Sequence, residues 1–414
     1  MTSANNRNPA NPESRIPGSS PPVTVYFDPG SRQFLNDRLF DVTNAVFGGD
    51  NLLAPYACLR EFLNARGVGI HTADFLPPAV TNTVKIYVSS GNLARYRSLA
   101  ERPDVILSAF FAMECPTVEP DLYRELKTAQ NLFRRVYSWS DTASLRPFVG
   151  GDLRCLPLSW PQSFDSVHEE VWSIRDRGFL VLINGNKVPR YQAPCRELYS
   201  ERLRAVDFFA RSGEIDLFGI GWDGPSFRVG QAYVPGTFGR VPMPGTVQRI
   251  GRAISTVWDR YHPDPLLKSA RAVYKGTTAS KARTLGNYKF AICFENSVLK
   301  GWITEKIFDC FFAGTVPVYW GAPDIAIMIP RDCFIDMREF RDYAELQKFL
   351  KSLSDRHIER YRSAARAFLE SPAFKPFTKQ AFAEIFGRII EEDAAPALCH
   401  STSEPVAVAW QAAK

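Results

Sequence analysis

The sequence predicts a two-domain α/β protein with a largely parallel sheet in each domain. Three observations carry this. Short β-branched and aromatic runs alternate with stretches that space apolar residues at helical intervals, the pattern of strands joined by crossover helices. A stretch rich in Pro, Gly and Trp, Leu145–Phe164, interrupts the alternation. The length, 414 residues, suits two domains of ordinary size.

Residues 1–22 are rich in Asn, Pro, Ser and Arg, a composition that predicts a disordered tail. The first domain is expected over 23–150. Its strands are Val23–Phe27, Val68–Ile70, Val84–Val88 and Val105–Phe111. Its helices are Asn51–Arg66, stopped by Gly67, then Asn92–Ala100 and Pro120–Gln130. Residues 151–165 are the linker. The second domain, 166–372, starts with a helix at Asp165–Arg175. Its strands are Phe179–Ile183, Ile215–Phe218, Tyr288–Phe294, Val316–Trp320 and Cys333–Ile335. Its helices are Cys195–Arg211, Thr246–Tyr261, Thr304–Ala313, Ala344–Leu353 and Ile358–Glu370. A terminal helix over 373–393 is expected to pack back on the fold, with a loose tail over 394–414.

Composition narrows the function. The net charge is +6, and Lys and Arg are interspersed with Asp and Glu rather than gathered in a basic block, so no nucleic-acid partner is predicted. A mild positive balance suits an anionic small ligand or an acidic membrane face. The eight cysteines form no C-x-x-C pair and no zinc spacing, so buried free thiols in a reducing compartment are the expectation. The start has no apolar secretory core, and no run of about 18 apolar residues predicts a membrane span.

Gly219, Gly221 and Gly224 spell G-x-G-x-x-G after a strand. A dinucleotide fingerprint needs a helix to open there, so that its amides meet the pyrophosphate. Pro225, Ser226 and an extended Phe227–Val229 follow instead, so these read as turn glycines. The chain has no P-loop, no G-x-S-x-G, no H-E-x-x-H and no D-x-D to hold a metal on a diphosphate.

The informative segment is Tyr288–Phe340. Its first strand ends in Glu295, Asn296 and Ser297. A loop with Gly301 and Trp302 leads to Thr304, a good N-cap, with Glu305 and Lys306 in the first helical turn and Gly314 at the helix end. This is a βαβ unit with polar groups at the carboxyl edge of a parallel strand, where open α/β sheets bind ligands. The helix amino end favours an anion, and Lys306 adds a full charge. Taken alone, Glu305 could equally serve only the helix dipole, and Lys306 could be solvated.

The string F-E-N-S…T-E-K-I…G-T-V-P-V-Y-W-G-A-P, extending through Ile329-Pro330 and Cys333–Ile335, is similar to the donor-binding signature of glycosyltransferase family 10, the α-1,3/1,4-fucosyltransferases. The resemblance implies a GT-B fold: two Rossmann-like domains facing across a cleft, with GDP-fucose on the C-terminal one. Arg196, Tyr199 and Leu203 resemble an R-x-x-[FY]-x-x-x-L helix whose arginine contacts the GDP phosphates. Asn184 matches an asparagine before that helix. Met113-Glu114-Cys115-Pro116 resembles the family's E-S-P, whose glutamate is the general base. Read only by position, Glu114 is equally a turn glutamate, and Glu119 is a nearby competitor.

The resemblance implies that Glu114 is catalytic. It makes Asn184, Arg196, Glu295, Asn296, Trp302, Glu305 and Lys306 the donor-binding set, with Glu305 on the ribose and Trp302 lining the nucleotide pocket. No metal or cofactor is required, and GDP-fucose is the donor. Cys115 departs from the family serine, Trp302 stands where bacterial relatives carry tyrosine, and the first half otherwise matches poorly. The expectation is an inverting fucosyltransferase of bacterial type. It is cytoplasmic, peripheral to the membrane if its glycan acceptor is lipid-linked. The rivals are the same fold using another GDP-sugar, an inactive glycan-binding relative and, distantly, a nicotinamide oxidoreductase.

Overall fold

The computed structural model describes residues 23–44, 50–78, 80, 83–91, 95–189, 194–224, 226–229, 257 and 265–399. Its described residues contain two main parallel sheets, each in an α/β domain, as the alternation predicts, and a small two-stranded sheet. The first sheet is β1 (Val23–Asp28), β2 (Gly69–Thr72), β3 (Val84–Ser89), β4 (Val105–Ala112), β5 (Arg135–Ser138) and β6 (Leu156–Pro157), in the order β2-β1-β3-β4-β5-β6. The second domain starts with β7 (Gly178–Ile183) and β8 (Lys187–Pro189), then β9 (Ile215–Phe218) and β10 (Phe227–Val229). Its last strands are β11 (Tyr288–Phe294), β12 (Val316–Trp320) and β13 (Ile335–Asp336). The main sheet runs β13-β12-β11-β7-β9, and β8 pairs with β10 alone. Every strand pair among the described residues is parallel.

Inner strands of parallel sheets are covered on both faces, so their sequences run apolar without alternation. β4 (VILSAFFA) and β11 (YKFAICF) are buried over most of their length. Phe290, Ile292 and Phe294 face one cluster with Leu203, Val206 and Phe209, whereas Ala291 and Cys293 face another with Ile307, Phe308 and Phe311. Helices thus cover both sides of one strand.

Several expected elements are shorter or displaced. The helix expected over Asp165–Arg175 is only Glu169–Trp172, and that over Asn92–Ala100 is Tyr96–Leu99. The Cys195–Arg211 helix begins at Tyr199, because the preceding residues are held by another segment. Arg196 O accepts from Val298 N, Glu197 bridges Ser297, and Leu198 N donates to Asn296 O. The strand expected at Cys333–Ile335 is a 3-10 turn, Arg331–Cys333, followed by β13. The Pro/Gly/Trp-rich stretch is not featureless. A helix at Thr142–Val149 is capped by the Asp141 carboxylate, which accepts from Ser144 N, and β6 pairs with β5. The helix expected at Thr246–Tyr261 and the tail 1–22 lie outside the described residues.

The last helix, Lys379–Cys399, crosses to the first sheet. Phe386 stacks on Phe111 at 5.4 Å, and Phe382, Ala383 and Ile389 join the same cluster. Asp393 is buried there and takes hydrogen bonds from Ser108, Arg134 and Arg135. Burial raises its pKa, but Arg135, Ser108 and Arg134 outweigh that and hold it below the ordinary aspartate value. Gly219 and Gly221 have φ of +135° and +87° and lead into β10 rather than a helix, so they are turn glycines. A Cβ at Gly219 would stand 2.0 Å from Asn184 O. Only glycine lets the β9 end approach the β7 end so closely.

Candidate functional site

The site is built from strand ends. β7 ends at Ile183 and exposes Asn184; β11 ends at Phe294 and leads into Glu295 and Asn296. The loop after β11 then turns through Gly301 (φ +75°), where a Cβ would meet Trp139 O at 2.3 Å, and enters the Glu305–Ala313 helix. Gly314 (φ +66°) closes that helix, with its N–H donating to Phe311 O.

Thr304 occupies the N-cap position, as its residue type predicts, but its hydroxyl does not cap the helix. It donates instead to the Glu295 carboxylate, at 3.0 and 2.8 Å to the two oxygens, and Thr304 N donates to Glu295 Oε1 at 2.8 Å. Glu295 is fully buried, and a buried carboxylate needs such partners. Lys306 Nζ completes its shell, 3.2 Å from Glu295 Oε2, 2.9 Å from Thr304 Oγ1 and 3.5 Å from Glu305 Oε1. Burial lowers the Lys306 pKa, yet Glu295 and Glu305 more than reverse this and hold the ammonium charged. Burial raises the pKa of Glu305, but Lys306 and then Lys281 overcome it and bring the carboxyl down to about 2.

Two residues that sequence reasoning missed belong to this cluster. Arg202 is 2% exposed. Its guanidinium donates to Phe294 O at 3.2 and 2.6 Å, to Asn296 Oδ1 at 3.1 Å and to Asn184 Oδ1 at 3.4 Å. It therefore ties together the ends of β7 and β11 and orients both asparagines. A signal existed: Arg202 falls among Leu198, Ala205, Val206 and Phe209 at helical spacing, an arginine on a core-facing stripe. Lys281 follows the Ser280 cap of the Lys281–Gly286 helix and pairs with Asp309 at 2.7 Å; nothing in the sequence marks it. Arg202, Lys281 and Lys306 line one pocket with Asn184 and Asp309 at the carboxyl ends of β7 and β11. Each cation already has partners there, Lys281 with Asp309, Lys306 with Glu295 and Glu305, and Arg202 with carbonyl and amide oxygens, so an anion bound in the notch shares them.

Arg202→Met should lower the unfolding free energy by about 1–3 kcal/mol, because the Phe294 carbonyl and both amide oxygens lose their donor. Denaturant unfolding without nucleotide checks this.

Arg196 is not at this pocket. Its guanidinium pairs with Glu201 at 2.8 Å, lies 4.3 Å over the Trp320 ring and is 57% exposed. The reason is the delayed helix start, which leaves Arg196 on the extended segment paired with Val298 rather than on the helix face. Trp302 also departs from its expected place lining a nucleotide pocket. It is 1% exposed and inserts between Trp139 at 4.5 Å and Trp160 at 5.8 Å. Its apolar ring is held in the core cluster of the first domain with Leu299. The loop that feeds the Glu305–Ala313 helix is thus anchored on the opposite domain.

Glu114 follows β4, the inner strand of the first sheet. Its carboxylate accepts from Cys115 N at 2.8 Å, and its carbonyl accepts from the Tyr123 hydroxyl. Burial pushes its pKa up, opposed by the Cys115 N–H and by Lys306, with Glu305 pushing further up. Glu114 of the first domain therefore lies within the field of the Glu305–Lys306 pair of the second. Glu119 is pushed up to about 7 by burial and then by Glu114.

A family model described as glycosyltransferase family 10 (fucosyltransferase) C-term matches residues 264–366. The matched segment is about a quarter of the chain. The chain is 38% identical over 74 residues to the alpha-(1,3)-fucosyltransferase FucT of Helicobacter pylori, covering 18% of this chain and 16% of that one. It is 39% identical over 82 residues to 4-galactosyl-N-acetylglucosaminide 3-alpha-L-fucosyltransferase 9 of Homo sapiens, covering 19% and 23%. These matches span less than a quarter of either relative. A solved structure titled alpha1,3-fucosyltransferase with GDP overlays 93% of this chain and 94% of its own, at 16% identity and a TM-score of 0.43. The family 10 segment supplies Glu295, Asn296, Glu305, Lys306 and Lys281; Glu114, Asn184, Arg196 and Arg202 lie outside it.

Proposed function

We propose that the chain is an inverting glycosyltransferase that moves L-fucose from GDP-fucose to a glycan hydroxyl, in α-1,3 linkage. One observation carries the reading: Arg202, Lys281 and Lys306 converge on one pocket at the carboxyl ends of β7 and β11, nine of whose thirteen lining residues lie in the segment matched by the family 10 model. The pocket suits the two phosphates of GDP, held by protein cations with no metal required. Asn184 and Asn296, oriented by Arg202, supply amide groups beside them. Glu305, low in pKa and therefore ionised, suits the ribose hydroxyls.

The reaction is a single displacement. The acceptor hydroxyl loses its proton to Glu114, and its oxygen bonds to the anomeric carbon from the face opposite the diphosphate. The bond from the anomeric carbon to the β-phosphate oxygen breaks, and its electron pair leaves with GDP. Lys306, Lys281 and Arg202 stabilise that developing charge in place, with little reorganisation. The acceptor is a cell-surface glycan or lipopolysaccharide precursor. If lipid-linked, it brings the enzyme to the cytoplasmic face of a membrane, which the +6 net charge favours.

Glu114 must be ionised to act, and burial raises its pKa above the glutamate value of 4.5. The acid limb of kcat/KM should therefore rise with pH through a midpoint above that value, measured from pH 4 to 8. A rate that is flat across the range would remove Glu114 as the base. The assignment of donor is tested by supplying GDP-fucose and other GDP-sugars with a panel of acceptors and analysing product linkage. Transfer from GDP-fucose is expected. Transfer from only another GDP-sugar would replace the donor, and glycan binding without GDP binding would replace the enzyme.

A further inference from the structure

The two halves of the site come from different domains, and a buried hydroxyl contact is among those that join them. Thr117 Oγ1 and Ser297 Oγ are 2.6 Å apart, across a sequence separation of 180. Thr117 is 1% exposed and Ser297 is 0%. Thr117 shares a turn with Glu114, in which Val118 N and Glu119 N both donate to Cys115 O. Ser297 directly follows Glu295 and Asn296, so it is fixed to the carboxylate that holds Lys306 and to the amide that Arg202 grips. On its other side Ser297 bridges Glu197, and Cys195 Sγ lies 3.5 Å from Thr117 Oγ1.

We infer that Thr117 and Ser297 are a positioning pair, whose hydroxyl contact fixes the Glu114 turn against the Glu295–Lys306 loop. This rests on the proposed transfer reaction. Elsewhere along the seam, Leu299 and Trp302 of the loop sit in the first domain's core with Trp139, Ser140 Oγ donates to Lys300 O at 2.6 Å, and Lys300 Nζ pairs with Asp141 at 2.6 Å. Apolar contacts hold surfaces together without choosing a register. A hydrogen bond between two buried hydroxyls is directional and short-ranged, and leaving either hydroxyl unpaired is costly. Ser140 and Asp141 hold the loop at Lys300, whereas this bond ends on Thr117 and so sets the base turn itself against the donor loop. Neither residue touches the reacting atoms. Each acts through Glu114 or Lys306.

Thr117→Val keeps the shape and deletes the hydroxyl; Ser297→Ala deletes the contact from the other side. Three quantities are read: kcat of transfer, GDP affinity by calorimetry, and amide exchange over residues 297–303. The expected result is a fall in kcat of about 10- to 100-fold, the size of effect that a small misplacement of reacting groups produces. GDP affinity should stay within about twofold, since the cations are untouched. Exchange over 297–303 should rise, and Thr117→Ser should restore both kcat and protection. Parental kcat in both variants, or unchanged exchange, would overturn the inference. If the parent protein fails to bind GDP, the donor assignment falls, and the exchange measurement alone decides whether the bridge joins the two loops.

Discussion

Glu114→Gln should lower fucosyl transfer by about 10²- to 10⁴-fold, the usual contribution of a general base. Glutamine keeps the size of the side chain, and its amide oxygen can still accept from Cys115 N as the carboxylate does. The turn should therefore keep its shape, and GDP affinity should remain nearly unchanged. What is lost is the ability to take a proton. The Gln variant also removes a negative charge that supports Lys306, but Glu295 and Glu305 remain to hold that ammonium protonated. Single-turnover transfer beside GDP calorimetry separates the two effects. Normal turnover would move the base role to Glu119, the other carboxyl on this turn, which burial and Glu114 push up to about 7.

Lys306→Ala should have two large consequences. GDP binding and transfer should fall by about 10²- to 10³-fold, as when one preorganised charge donor is removed. The protein should also lose about 3–5 kcal/mol of stability, because Glu295 is fully buried and would lose its cationic partner. The second effect could mimic the first through unfolding. The Glu295→Gln/Lys306→Met double variant distinguishes them, since it removes the buried pair as a unit. Its stability should return towards that of the parent while GDP binding stays weak. If the double variant binds GDP as the parent does, Lys306 is a structural lysine only.

The sheet architecture was legible because parallel strands buried on both faces leave apolar runs, and β9, β11 and β12 fall on the residues the pattern predicts. The donor loop was legible because polar residues crowd one strand end and one helix start. Arg196 and Trp302 were read from motif position, and position says nothing about long-range pairing. Arg196 is drawn off the helix by backbone bonds to Val298, and Trp302 is drawn into the first domain by Trp139 and Trp160. Lys281 reaches the pocket only because its helix packs beside Glu305–Ala313. The Thr117–Ser297 bridge is likewise tertiary, and no local pattern foretells it.

A cationic notch formed by Arg202, Lys281 and Lys306 is the part of the account on which every functional statement depends. Titration calorimetry with GDP, in buffer containing a chelator, tests it most directly when run on the parent and on Lys281→Met. Saturable binding by the parent, weakened at least about tenfold in the variant, is the predicted result, since each tenfold step needs only about 1.4 kcal/mol. No heat of binding in the parent, or equal affinity in both proteins, would contradict it.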